Sequence, residues 1–336
     1  MLAKELQSYC KSLDIVQESD LEIEGLTDMK ALQAKHLVFI KNKKFLLSLI
    51  ENLTETSNLS MIIDKNLWDK TEEKNELKEK LNSILTTVEV DIALSFLSKP
   101  FYELKQKAIS LTDLRNESGD KIHSSVQIGE NCFIGADVRI GEGTVLYSGV
   151  SLMGQCQIGK NCIVYPNVTI YPNVEIGDNA RIHSGVVIGA DGFGYNYKDG
   201  VHNKVWHMGG VKIGNDFEIG ANSCVDQGTF SPTLIADGVK LDNHTQVGHN
   251  AVVGSGSVLC GHAGLAGSSK LGDFCIIGGY VALGPGVELG AGCEVGGGAK
   301  VLASFPAKTK LGGHPARPVK EWLKGVAWVR KESLKK

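Results

Sequence analysis

Residues 128–145 read IGENCF IGADVR IGEGTV: three six-residue phrases, each opened by Ile-Gly. The phrase repeats outward in both directions. Upstream it reaches Ile122, and downstream it runs without a break to Phe193, giving twelve hexads. The aliphatic position is filled by Ile122, Ile128, Ile134, Ile140, Leu146, Leu152, Ile158, Val164, Ile170, Ile176, Ile182 and Ile188. Four residues after each comes a small or β-branched residue, as at Val126, Cys132, Val138 and Thr144. A six-residue period fits neither an amphipathic helix nor a long alternating strand. It is the signature of a parallel β-helix, in which three hexads close one triangular coil. Residues 18 apart then stack, so the sequence becomes a map of neighbours.

Three more hexads start at Ile213, Ile219 and Val225, and twelve more run from Ile235 to Pro306. Twenty-seven hexads make nine coils, a prism about 43 Å long at a strand spacing of roughly 4.8 Å. Two segments break the register. Residues 194–212, GYNYKDGVHNKVWHMGGVK, read as a loop leaving the prism, and Ser231-Pro232-Thr233-Leu234 reads as a small bulge. The end coils need covering, a task for the segments on either side.

Residues 1–118 lack the repeat and read as a small α/β domain. Leu2–Leu13 reads as a short helix. Leu21–Ile23, His36–Ile40 and Met61–Asp64 read as strands. The Glu-, Lys- and Leu-rich run Leu67–Leu85 reads as a surface helix. The β-helix domain is expected over 119–306 and a C-terminal extension over 307–336. Within 317–336, Trp322, Leu323, Val326 and Val329 stand among seven basic residues, the pattern of a basic amphipathic helix.

Composition narrows the class. The net charge of −3 argues against general nucleic-acid binding, and no apolar run is long enough to span a membrane. MLAKELQSYCKSLD has no apolar signal core, so a cytoplasmic location is expected. Of the eight cysteines, Cys132, Cys156, Cys162, Cys275 and Cys293 fall on the inward small position. There cysteine serves as a small hydrophobe, and a reducing compartment keeps it free. With no CxxC, a cysteine zinc site is not expected.

The fold alone names no reaction. Three segments do more: HSGVVIGADGFGY (183–195), DQGTFSPTLIADGVKLDNHTQVGHNAVVG (226–254) and GHAGLAGSSKLGDFCIIGG (261–279). Together they resemble the UDP-3-O-acylglucosamine N-acyltransferase family of lipid A biosynthesis, and the first domain resembles that family's uridine-binding domain. The resemblance implies a left-handed β-helix, a homotrimer and no bound cofactor. It implies acyl carrier protein, charged through phosphopantetheine, as donor and partner, and a UDP-amino sugar as acceptor. The implied reaction moves a 3-hydroxyacyl chain from a thioester to an amine, which needs a base, an oxyanion donor and alignment.

By the resemblance, His249 in GHN is the general base, a role that a neutral imidazole suits. Gly267, 18 residues on, stacks over it and is a candidate oxyanion donor through its N–H. Asp242 is expected either to hold the His249 tautomer or to cap a turn. Asn243, Gln246 and His262 are expected to line the substrate site. In FIKNKKF, Phe39, Asn42 and Phe45 match a uracil-binding aromatic, amide and aromatic, with Phe45 where the family has Tyr. Other departures are Gly286 in place of a second histidine, Gln227 in place of Arg, and Gly210 in place of a basic residue.

Two other enzymes share the architecture. An acetyl-CoA-dependent acetyltransferase of another nucleotide amino sugar would not need the basic C-terminal helix. A β-helix carbonic anhydrase uses two histidines five apart, as are His244 and His249, plus a third two coils upstream; that position holds Met208 or Lys204. The register instead stacks His244, His262 and Tyr280 as a surface ladder. A scaffold that has lost activity is the third alternative.

Overall fold

The computed structural model describes every residue except 55–57, 108–111, 115–118, 314–315 and 336. The expected boundary at residue 118 lies outside the described residues.

The first domain runs α1 (Ala3–Tyr9), β1 (Asp14–Gln17), β2 (Gly25–Thr27), β3 (His36–Ile40), α2 (Lys43–Asn52), β4 (Leu59–Asp64), α3 (Lys65–Lys70), α4 (Lys74–Lys80), β5 (Leu81–Thr87) and α5 (Val90–Lys107). Its sheet has the order β1-β5-β4-β3-β2. Strands β2 to β5 are parallel, and β1 is antiparallel to β5. The expected helix over Leu67–Leu85 is instead two short helices and a strand. Leu81, Ser83, Ile84, Leu85, Thr86 and Thr87 are all buried, a continuous buried run that suits a strand covered on both faces. The strand expected at Leu21–Ile23 forms a few residues later, at Gly25–Thr27.

The prism consists of three all-parallel sheets of nine, eight and ten strands. Call face I the sheet beginning at Phe133–Ile134, face II that beginning at Arg139–Ile140, and face III that beginning at Gln127–Ile128. Partners step by 18, as in Leu152 with Ile134 and Val164 with Leu146. Across the insert the step widens, pairing Glu218 with Arg181, and across the bulge it pairs Lys240 with Glu218. The ladder runs past Pro306 to a last strand at Lys310–Leu311.

The inward aliphatics and the small residues four positions on form one continuous core. The five inward cysteines are free and buried in it, and burial pushes the Cys156 thiol up to about 12. One position in most turns adopts a left-handed backbone. Asn and Asp fill it most often, as at Asn131, Asp137, Asn161 and Asn179. Their short polar side chains tolerate that region better than most residues do. His244, His262 and Tyr280 occupy the same position.

The insert fastens the two domains together. Its strands Tyr195–Lys198 and Val201–Lys204 form a hairpin that lies against α5. Asn196 Nδ2 donates to Asp91 O at 2.7 Å, and Lys198 pairs with Glu89. The Trp206 and Tyr102 rings pack at 4.7 Å, Trp206 N donates to Ser98 Oγ at 3.0 Å, and Met208 joins the first domain's core. Ser231, in the bulge, donates through its hydroxyl to Asp28. Among the described residues, no helix is long and apolar enough to cross a membrane. Helix α6 (Val319–Ser333) carries no buried residue and exposes Trp322, Val326 and Val329.

Candidate functional site

A cleft of about 760 Å3 opens where the chain turns from face I to face II. His249, Gly267, Gln246 and Asp226 line it, with Phe193 at its rim and Pro285 and Gly286 beside it. The Val225–Val247 and Val247–Leu265 pairs bring these turns into successive coils.

His249 is half-buried and its tautomer is set by its neighbour. Asn250 Oδ1 receives Thr229 N at 2.9 Å, while Asn250 Nδ2 donates to Ser231 O at 2.9 Å. That fixes which end of the amide is oxygen. His249 Nδ1 lies 3.1 Å from Asn250 Oδ1, so Nδ1 carries the proton and Nε2 keeps its lone pair. Nε2 faces Gly267 so closely that a Cβ there would sit 2.4 Å away. Gly192 closes on the other side, where a Cβ would meet His249 Cβ at 2.5 Å. Glycine at both positions is a steric requirement of the ring.

The N–H of Gly267 is the second feature of the cleft. At the same turn position, Lys160, Asp178, Asn215, Ala221, Ser255 and Gly261 each donate N–H to an Asp or Asn side chain at 2.6–2.9 Å. Among the described residues no acceptor meets the N–H of Gly267. The residue 18 positions on, where the capping carboxylate would stand, is Pro285. The cleft thus holds an uncommitted lone pair and an uncommitted N–H side by side, the equipment for moving a proton and holding an oxyanion.

Asp242 is elsewhere. Its carboxylate accepts the N–H of Asn243 at 2.7 Å, Asn243 Nδ2 at 3.0 Å and the N–H of Gly261 at 2.9 Å. Among the described residues it makes no bond to His249. Seven residues span one hexad plus one, which moves Asp242 to the neighbouring corner, between faces III and I. Asn243 is bound into that corner too, its Oδ1 accepting from Ala221 N at 2.7 Å. His262 stacks there between His244 (4.8 Å) and Tyr280 (4.6 Å) on the surface. No cluster of three His, Cys, Asp or Glu with metal-holding geometry occurs among the described residues.

The carboxylate beside His249 is Asp226. Burial pushes its carboxyl up, while a hydrogen bond from Gln246 and the proximity of His249 pull it back. The plain 18-step misses it because the bulge lies between; the 22-step seen at Val225 and Val247 places it beneath Gly248.

A second cleft, of about 310 Å3, lies between the domains. Phe39 and Phe45 line it with Asp28, Lys30 and Lys41, and the prism adds Thr229, Phe230, Asn250 and Ser268. The ring facing Phe39 is Phe230, at 6.4 Å and 18°. Asn42, beside the cleft's lining residue Lys41, is the N-cap of α2, its Oδ1 accepting Phe45 N at 3.1 Å; among the described residues its amide nitrogen has no partner. The two clefts share Ser268, and the adjacent residues His249 and Asn250 line one each.

A family model for "Bacterial transferase hexapeptide (six repeats)" matches residues 137–171, 155–190 and 268–303. A UDP-3-O-acylglucosamine N-acyltransferase from Helicobacter hepaticus is 36% identical over 321 residues, spanning 95% of this chain and 93% of that one. The chain belongs to the UDP-3-O-acylglucosamine N-acyltransferase family. It is an acyltransferase of the lipid A type. A relative of the same name from Desulfotalea psychrophila is 52% identical over 151 residues, 45% of this chain and 44% of that one. Among solved structures, UDP-N-acetylglucosamine acyltransferase from Campylobacter jejuni aligns at 25% identity with a TM-score of 0.46, over 55% of this chain and 68% of that one.

Two departures from the usual family pattern meet in space. Gly210 N donates to Gln227 Oε1 at 3.3 Å, and Gln227 Nε2 donates to Asp191 at 3.0 Å. Asp191 also pairs with Lys204 at 2.7 Å.

Proposed function

We propose that the protein transfers a 3-hydroxyacyl chain from the thioester of acyl carrier protein to the 2-amine of a UDP-3-O-acylglucosamine. His249 Nε2 takes the proton from the attacking amine. The thioester carbonyl becomes a tetrahedral oxyanion, which accepts a hydrogen bond from the N–H of Gly267. Collapse forms the amide and expels the thiolate of the carrier arm, which receives the proton held by His249. Asp226 faces the imidazolium while it lasts. Asp242 and Asn243 act by fixing a turn, and Gln246 by holding Asp226.

The uridine enters the interdomain cleft against Phe39 and Phe45, and the Asn42 amide nitrogen serves a uracil carbonyl. Lys30 and Lys41 offer positive charge to the diphosphate. The observation that carries this reading is the free Nε2 of His249 set against the uncapped N–H of Gly267, in a cleft that shares Ser268 with the aromatic cleft. The relatives' names supply the acceptor's identity. The test is mass spectrometry of products from a panel of acyl-carrier donors and UDP-sugars. A 3-hydroxyacyl amide on the 2-amine, lost in His249→Gln, is the expected result. Transfer from acetyl-CoA in preference to every carrier-protein donor would replace the reading with an acetyltransferase.

A further inference from the structure

Behind His249 lies a second histidine that the reaction above does not use. His207 is wholly buried, and among the described residues neither of its ring nitrogens has a hydrogen-bond partner. A buried polar group without a partner ordinarily destabilises a fold. Stability alone gives no reason for this one. Its ring meets that of His249 edge to face, with centroids 5.0 Å apart and planes at 67°. Such a contact between aromatic rings is favourable and specific in geometry.

His249 needs a brace. Besides its close approaches to Gly192 and Gly267, it makes one side-chain hydrogen bond among the described residues, from Nδ1 to Asn250, which fixes a single point of the ring. A base must hold its lone pair in line with the transferred proton, and small misplacements cost large factors in rate. His207 can supply the second point because its own position is fixed from both sides. Trp206 packs against Tyr102, its ring tilted by 41°, and Met208 N donates to Thr229 O at 2.9 Å. Gly194 presses on the ring, since a Cβ there would lie 2.9 Å from His207 Cε1.

We infer that His207 is a positioning residue: its imidazole braces the His249 ring from the interior so that Nε2 stays aimed at Gly267. Burial holds its titration down to about 4, so it adds no charge beside the base at neutral pH. The inference rests on the reading of His249 as the base. It also links the first domain to the chemistry, because the segment that docks on Tyr102 carries the brace.

The test is steady-state kinetics of His207→Ala, His207→Leu and His207→Phe with acyl-carrier donor and UDP-sugar. Ala and Leu remove the flat ring and should lower kcat by about ten- to a hundredfold, with both KM values within about twofold. Phe restores a flat ring and should recover kcat to within about threefold of the parent. Leu keeps most of the volume, so it answers the question if the Ala variant does not fold. Parental kcat in Leu, or a folded Phe variant as slow as Leu, would overturn the brace. His249→Gln, run alongside, separates the two ideas. If it turns over normally the base assignment fails; if it is dead while His207→Leu is normal, only the brace fails.

Discussion

Two corners of the same coils carry histidines, and they differ in what is left over. At the corner between faces III and I, Asp242 accepts three N–H groups, Asn243 caps Ala221, and His244, His262 and Tyr280 stack on the surface. At the next corner His249 keeps a free Nε2 beside Gly267, whose N–H meets no acceptor among the described residues; other turns, such as that at Glu142, also leave this N–H uncapped, and it is the neighbouring Nε2 that sets Gly267 apart. The first corner consumes its hydrogen-bonding capacity in building the turn. The second holds capacity in reserve, and a substrate can use only what the fold has not. A histidine in a β-helix turn is therefore informative only together with the state of its neighbours' N–H groups.

The sharpest attempt to break this contrast is His249→Ala. It should lower kcat by about 10²–10⁴, the usual worth of a positioned base, with the unfolding midpoint little changed. Near-parental turnover would remove the distinction between the corners. Gly267→Ala comes next. Its Cβ would land on Nε2, so kcat should fall by about 10²–10³ in a folded protein. A variant with unchanged kcat would show that the close approach has no chemical role.

The third attempt uses pH. An unfolded histidine titrates near 6.5, whereas His207 in the fold titrates at about 4. Between those values the unfolded chain binds a proton that the native state refuses, so stability drains as pH falls through that window. The full loss is about 3 kcal/mol. Thermal unfolding midpoints should decline from pH 6.5 to 4 more steeply in the parent than in His207→Phe. Parallel curves would mean that the buried histidine is not the cause.

Smaller effects belong to the margins. Phe39→Ala should weaken UDP binding about tenfold in titration calorimetry while kcat at saturation holds, since stacking contributes about 1–2 kcal/mol. Unchanged binding would move the nucleotide elsewhere. His262→Asn should be the mildest. Asn suits a left-handed turn, and the stacked rings are exposed, so a change in unfolding free energy under about 0.5 kcal/mol is expected. A larger loss would make the ladder a structural strut.

How much of this the sequence discloses depends on whether a residue obeys the repeat. The 18-step places Gly267 over His249 and stacks His244, His262 and Tyr280, because parallel pairing in this prism is regular. The same step would also find the open N–H, by noticing Pro285 where Asp or Asn caps other turns. Asp242 escapes it because a separation of seven changes corner as well as hexad. Asp226 escapes it because the bulge lengthens the step. His207 is out of reach altogether: it sits in the insert, and contacts with Tyr102 and Thr229, far away in sequence, decide its place. In the first domain, Leu81–Thr87 follows two charged helical turns and shares their leucines. Only its burial in the middle of a sheet marks it as a strand.

The docking of the insert on α5 has a consequence for the history of the chain. The insert touches the repeat at Asp191, Thr229 and His249, while its hairpin and Trp206 reach out to Asp91, Ser95, Ser98 and Tyr102. A shortened descendant that shed the first domain would be left with Trp206, Met208 and the hairpin facing water, and with the support under His249 undone. Insert and domain must therefore be gained or lost together, as one heritable unit laid across two distant stretches of a gene.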